Sequence, residues 1–71
     1  MNISKLKGKI VEANTTQEAV SKALSIHKTT LYRKLKSDGN LFTIGEMHNL
    51  VEILSLSQQE AIDIFLNQKS H

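Results

Sequence analysis

The densest run of charged and hydrogen-bonding side chains in this sequence is residues 27–36. His27, Lys28, Thr29, Thr30, Tyr32, Arg33, Lys34 and Lys36 crowd around only two apolar residues, Leu31 and Leu35. Those leucines are four apart, so they form one buried stripe on an otherwise polar helix. Long donors held on the open side of a short helix suit the edges of bases and the phosphates of a nucleic acid. Arginine pairs bidentately with guanine, and threonine contacts either a polar edge or a thymine methyl. The N-terminal end of such a helix points into the major groove. Lys28, Thr29 and Arg33 are therefore expected to read bases, with Tyr32 beside Arg33 touching a base, sugar or phosphate. Gln17, Thr30, Lys34, Lys36, Ser37 and Asn40 are expected to hold the sugar–phosphate backbone.

A nine-residue helix is costly to nucleate alone, so other elements must hold it. Five helices are legible. The first covers about residues 3–13, with Asn2 as N-cap and Ile3, Leu6, Ile10 and Ala13 at helical spacing. The second covers about 16–24, with Ala19, Val20, Ala23 and Leu24 as its apolar stripe. Thr15 and Glu18 fit a capping box there, with Thr16 as the other candidate cap. Ser25, Ile26 and His27 form a short connector, in which Ile26 should plug the corner. The third helix covers about 28–36, and a turn cluster follows, with Gly39 as its left-handed stop. Leu41 and Phe42 should return to the core. Thr43 with Glu46, and Ser57 with Glu60, then open two more helices through capping boxes. The fourth is expected to bury Ile44, Met47, Leu50, Val51 and Leu54. The fifth carries Ala61, Ile64 and Phe65 toward the core. Ile62 and Leu66 fall on another side, where they could form a protein interface. Residues 67–71 read as a frayed end.

Composition narrows the function classes. Seventy-one residues allow one small domain, and cysteine is absent, which excludes disulfides and thiolate metal sites. His27, His48 and His71 are too widely spaced for a zinc site, so neither metal nor cofactor is expected. With no proline and three glycines, the chain is expected to be all-α, a compact five-helix bundle. There is no constellation of nucleophile, base and orienting group, so no enzymatic activity is expected. No apolar run approaches the roughly 20 residues that span a bilayer, and nothing behind Met1 resembles a signal peptide. A cytoplasmic protein is expected. The net charge is +2, but residues 1–36 hold eight cations against Glu12 and Glu18, a net +6. Residues 37–71 hold Lys69 against five carboxylates, a net −4. That asymmetry would orient the molecule on a polyanion. Lys5, Lys7 and Lys9 read as surface charges rather than dedicated phosphate ligands, and His48 with Glu52 as an ordinary surface pair.

Two short helices joined by three or four residues, the second leaving its polar face uncovered, make a helix-turn-helix signature. Thr16-Gln17-Glu18, then Val20, Leu24 and Ile26, then Thr30-Leu31-Tyr32-Arg33-Lys34-Leu35, resemble the helix-turn-helix of phage repressor and Cro-like regulators. The continuation through Leu41-Phe42-Thr43-Ile44-Gly45-Glu46-Met47 and Leu56-Ser57-Gln58-Gln59-Glu60 is similar to small Cro-type regulators of temperate phages of Gram-positive bacteria. The resemblance implies a lambda-repressor-like DNA-binding domain over residues 1–71. It also implies an operator-binding repressor in a lysis–lysogeny switch, working in the host cytoplasm. The interface expected at Ile62 and Leu66 would suit a homodimer on two DNA half-sites. This chain departs from the family in having Ser25 where glycine is usual, Ser21 where alanine is usual, and His27 in place of a serine or threonine cap. The start of the third helix is accordingly expected to be less well capped. An antirepressor or modulator that binds the phage repressor protein is the alternative, and an excisionase-like or plasmid accessory role is a third.

Overall fold

The computed structural model describes residues 1–37 and 41–66. Helices α1 (Ile3–Glu12), α2 (Gln17–Ala23), α3 (Lys28–Lys36), α4 (Ile44–Ile53) and α5 (Gln58–Ala61) follow one another, and the last runs on as a π-helical segment, Ile62–Leu66. No strand occurs among the described residues, so the expected five-helix, all-α architecture is present. Every helical segment except the short α5 contributes to one core: Leu6 and Ile10 from α1, Val20 from α2, Leu31 and Leu35 from α3, Leu50 from α4, and Ile64 from the π segment. Leu24, Phe42, Leu54 and Leu56 close it from the connections between helices. α2 packs against both α3 and α4, while α1 packs against the π segment. The Asn2 amide donates to the Ile64 carbonyl at 2.7 Å, which ties the two ends of the described chain together.

The helix starts are set locally. Asn2 caps α1 through its side-chain oxygen, which accepts from the Lys5 amide. Thr43 with Glu46, and Ser57 with Glu60, form reciprocal capping boxes, as their spacing predicts. At α2 the cap is Thr16, whose hydroxyl accepts from the Ala19 amide, and the Thr15–Glu18 box does not form. The helix starts one residue later than that box requires.

The ends of α1, α2 and α4 share one device. Asn14, Ser25 and Ser55 each adopt a left-handed backbone, with φ of 58°, 61° and 51°. After each, the next amide bonds to the carbonyl five residues back: Thr15 to Ile10, Ile26 to Ser21 and Leu56 to Val51. These are Schellman closures, which satisfy carbonyls that the helix end would leave orphaned. Two of the three use serine where glycine would carry no steric cost.

Burial corrects several expectations. Ala19 and Ala23 are exposed, and the stripe of α2 is Val20 with Ser21 and Leu24. Ser21 and Ala23 flank the Val20–Leu24 stripe on opposite sides, each about 60° from its nearer member, and it is the Ser21 side that is buried. The Ser21 hydroxyl donates to the Glu18 carbonyl at 2.6 Å, which satisfies its burial. Ile44 is 84% exposed because, as the first residue of α4, it precedes the turn that reaches the core. Leu41 is 51% exposed, and Phe42 alone brings that connection back to the core. Met47, Val51 and Phe65 are half-buried against the core, as is Ile26 at the α2–α3 corner. The Gly39 stop, Asp38, Asn40 and the frayed end at 67–71 lie outside the described residues.

Candidate nucleic-acid interface

α3 is held by its two leucines and by its first residue's neighbour. Leu31 and Leu35 are buried in the core. His27 caps the helix: its Nδ1 accepts from the Thr29 amide at 3.2 Å. The expectation of a poorly capped start is thus corrected, because an imidazole nitrogen substitutes for the hydroxyl. On the wheel of α3, Arg33 lies about 180° from the centre of the leucine stripe and Thr29 within about 40° of Arg33. Both are exposed, as are Lys28, Tyr32 and Lys36, and Thr30 is half-buried.

A groove of about 430 Å³ runs along one flank of α3. Thr29, Tyr32, Arg33, Leu35 and Lys36 line it from α3, Gln17 from the start of α2, and Lys7 from α1. The structure therefore gathers Gln17, Thr29, Tyr32, Arg33 and Lys36, five of the residues expected from sequence, on one surface. Lys28 belongs to a smaller cleft of about 220 Å³ at the other side of the α2–α3 corner, with Glu18, Ser21, Lys22, Ile26 and His27.

Lys34 is placed differently from its expected role on the nucleic-acid backbone. Its ammonium donates to the Leu41 carbonyl at 2.9 Å and to Glu46 Oε1 at 2.7 Å, and it stands 5.7 Å above the Phe42 ring. Lys34 and Glu46 keep only 13% and 16% of their side chains exposed. Burial pushes the Glu46 carboxyl up, but the hydrogen bonds from Lys34 and the Thr43 amide outweigh it and hold the group below its ordinary value. Lys34 is thus a strut between α3 and the start of α4. Ser37 turns its hydroxyl back to the Lys34 carbonyl at 2.8 Å. Asn40 lies outside the described residues.

The other cations divide in the same way. Lys5 pairs with Asp63 at 3.2 Å, and Lys9 pairs with Glu12 at 2.6 Å and Glu60 at 2.7 Å. The Lys9 hydrogen bond and the Ser57 amide lower the Glu60 carboxyl to about 2, while Glu12 and Glu60 raise Lys9. Asp63 is lowered by hydrogen bonds from Gln59 and Lys5. His48 and Glu52 form the expected exposed pair at 3.6 Å. Lys7, Lys22, Lys28, Arg33 and Lys36 have no carboxylate partner among the described residues. Sequence reasoning placed neither Lys7 nor Lys22 at the site. Helical period was the available signal for Lys7, which lies about 200° from Lys5 while Lys9 lies within about 40° of it.

Ile62 and Leu66, the expected protein interface, are 40% and 71% exposed on the π segment. Among the described residues, no cluster of histidine and carboxylate side chains is placed to hold a metal, and no helix is long and apolar enough to cross a membrane. No family model matches the chain, and neither a curated protein nor a solved structure does.

Proposed function

We propose that the chain is a sequence-specific DNA-binding transcriptional regulator of the helix-turn-helix type, with α2 as the bracing helix and α3 as the recognition helix. The observation that carries this reading is the distribution of partners around α3. Thr29 and Arg33 face outward without a carboxylate among the described residues, on a helix anchored from behind by Leu31 and Leu35. A face so rich in long donors, left unneutralised, fits base edges flanked by phosphates. The four-residue connection Leu24 to His27 between α2 and α3 fits the same motif. In this reading Arg33, Thr29 and Lys28 read bases, Tyr32 reaches a base or sugar, and Gln17, Thr30 and Lys36 hold backbone. No group is assigned a catalytic role. The likeness of the sequence to Cro-type regulators supports an operator-binding repressor of a phage switch, acting in the bacterial cytoplasm.

A second reading, a modulator that binds the phage repressor protein, draws on the exposed Ile62 and Leu66. Apolar residues left open on a terminal segment fit a protein contact, either with a repressor or with a second copy of this chain.

The decisive experiment is selection of binding sites from a random duplex library, followed by titration of the selected duplex against random DNA at about physiological salt. The DNA-binding reading expects a preference of about 10³-fold or more. Arg33→Ala should cost about 1–3 kcal/mol on the selected sequence and little on random DNA. A library that yields no enriched sequence would overturn the reading. Capture of the phage repressor by the purified chain, in the same buffer, would then favour the modulator.

A further inference from the structure

Lys7 is the one lysine of α1 that faces α3. Lys5 and Lys9 turn the other way and are engaged by Asp63 and by Glu12 and Glu60. Lys7 has no such partner among the described residues and lines the groove together with Gln17, Tyr32, Arg33 and Lys36. Two ammoniums, a guanidinium, a carboxamide and a phenol line this groove, and no acidic side chain among the described residues lines it with them. The aliphatic stems of the lysines and the buried edge of Leu35 supply an apolar floor. A sugar–phosphate strand has the matching chemistry, with anionic oxygens outside and an apolar deoxyribose between them.

We propose that this groove holds one strand of the DNA backbone and that Lys7 is a phosphate ligand within it, so that α1 is a working part of the interface. The proposal rests on the DNA-binding reading and deepens it. With Thr29 and Arg33 directed at base edges, the strand that borders the major groove on the α1 side passes between α1 and α3. A phosphate held from α1 fixes the tilt of α3 in the groove, because α1 and α3 belong to one rigid core through Leu6, Ile10, Leu31 and Leu35.

The test uses the full chain and a random-sequence DNA duplex, which needs no knowledge of the operator. Affinity is measured across about 50–200 mM salt for wild type, Lys7→Gln and Lys5→Gln. Each phosphate neutralised contributes about 0.9 to the slope of log affinity on log salt. Lys7→Gln should therefore reduce the magnitude of the slope by about 0.9, and the fourfold salt change should then weaken binding about 3.5-fold less than in wild type. Its thermal midpoint should not change. Lys5→Gln should keep the wild-type slope, because Asp63 already neutralises that ammonium. An unchanged slope for Lys7→Gln in a wild type that binds would overturn the proposal and leave the DNA-binding reading standing. Equal slope reductions in both variants would also overturn it, since general charge would then suffice. Absence of binding by the wild-type chain at about 50 mM salt would sink both.

Discussion

Lys7 and Lys9 stand two residues apart on α1 and meet opposite fates. Lys9 is wedged between Glu12 and Glu60 and joins α1 to α5, whereas Lys7 opens onto the groove beside α3. The same division repeats on α3, where Lys34 is a strut against Glu46 and its second neighbour, Lys36, lines the groove. On one flank of the molecule the cations hold helices together, and on the other they have no carboxylate partner among the described residues. Net charge cannot distinguish the two sets, since both contribute equally to the +6 of residues 1–36. What separates them is the helical period and the position of the carboxylates contributed by α4, α5 and the π segment.

The largest expected effect comes from breaking the strut. Lys34→Ala removes a charged hydrogen bond to Glu46 and leaves the Leu41 carbonyl without its donor. A charge-assisted bond of this kind is worth about 1.5–3 kcal/mol. A domain of this length has only about 4–10 kcal/mol in all. The thermal midpoint should fall by on the order of 10 °C or more. On random DNA, measured where the variant is folded, the salt slope should stay as in wild type. A reduced slope with an unchanged midpoint would move Lys34 into the open set and erase the contrast.

Acid should loosen the paired flank selectively. The Glu60 carboxyl sits at about 2 in the fold against an ordinary value of 4.5, and Asp63 and Glu46 are lowered in the same sense. A carboxylate lowered by folding adds stability that is present above its ordinary value and lost as pH falls through the folded one. For Glu60 the window is therefore from 4.5 down to about 2. Thermal midpoints across that window should fall steeply in wild type and less steeply in Glu60→Gln, which keeps an acceptor for the Ser57 amide but no charge to lose. Equal slopes would show that the Lys9–Glu60 pair contributes nothing to the fold, as many exposed pairs do not.

Much of this arrangement is legible in the residues. The limits of α3, the caps at Asn2, Thr43 and Ser57, and the core of Leu6, Leu31, Leu50 and Leu54 follow from spacing and cap chemistry. Gln17, Thr29, Tyr32, Arg33 and Lys36 share one groove because α2 and α3 are neighbours in sequence and pack with a short connection. The fate of Lys34 was not legible, since Glu46 lies twelve residues away and reaches it only through the turn that positions α4. Lys9 is similar, with a partner 51 residues distant. Pairings across such separations depend on how helices pack, which a local pattern does not encode. Ile44 misled for another reason: an apolar residue directly after an N-cap need not lie on the stripe that its helix buries.

The smallest expected effects test the two serines that close helices in the left-handed conformation, one bordering each flank. Ser25 ends α2 next to α3, and Ser55 ends α4 next to α5. A non-glycine residue in that conformation costs about 1–2 kcal/mol, and glycine gives back about 0.4–1 kcal/mol through its freer unfolded chain. Ser25→Gly and Ser55→Gly should therefore each stabilise the fold by about 0.5–1 kcal/mol, read as a higher denaturant midpoint at unchanged slope. Their effects on DNA need not match. Ser25 is exposed at the corner beside the cleft of Lys22 and Lys28, within two residues of the His27 cap, whereas Ser55 lies on the α4–α5 turn. If the open flank extends around that corner, Ser25→Gly weakens binding while stabilising the protein, and Ser55→Gly leaves binding alone. Identical affinities for the two variants would confine the DNA-facing surface to the α1–α3 groove and the outer face of α3.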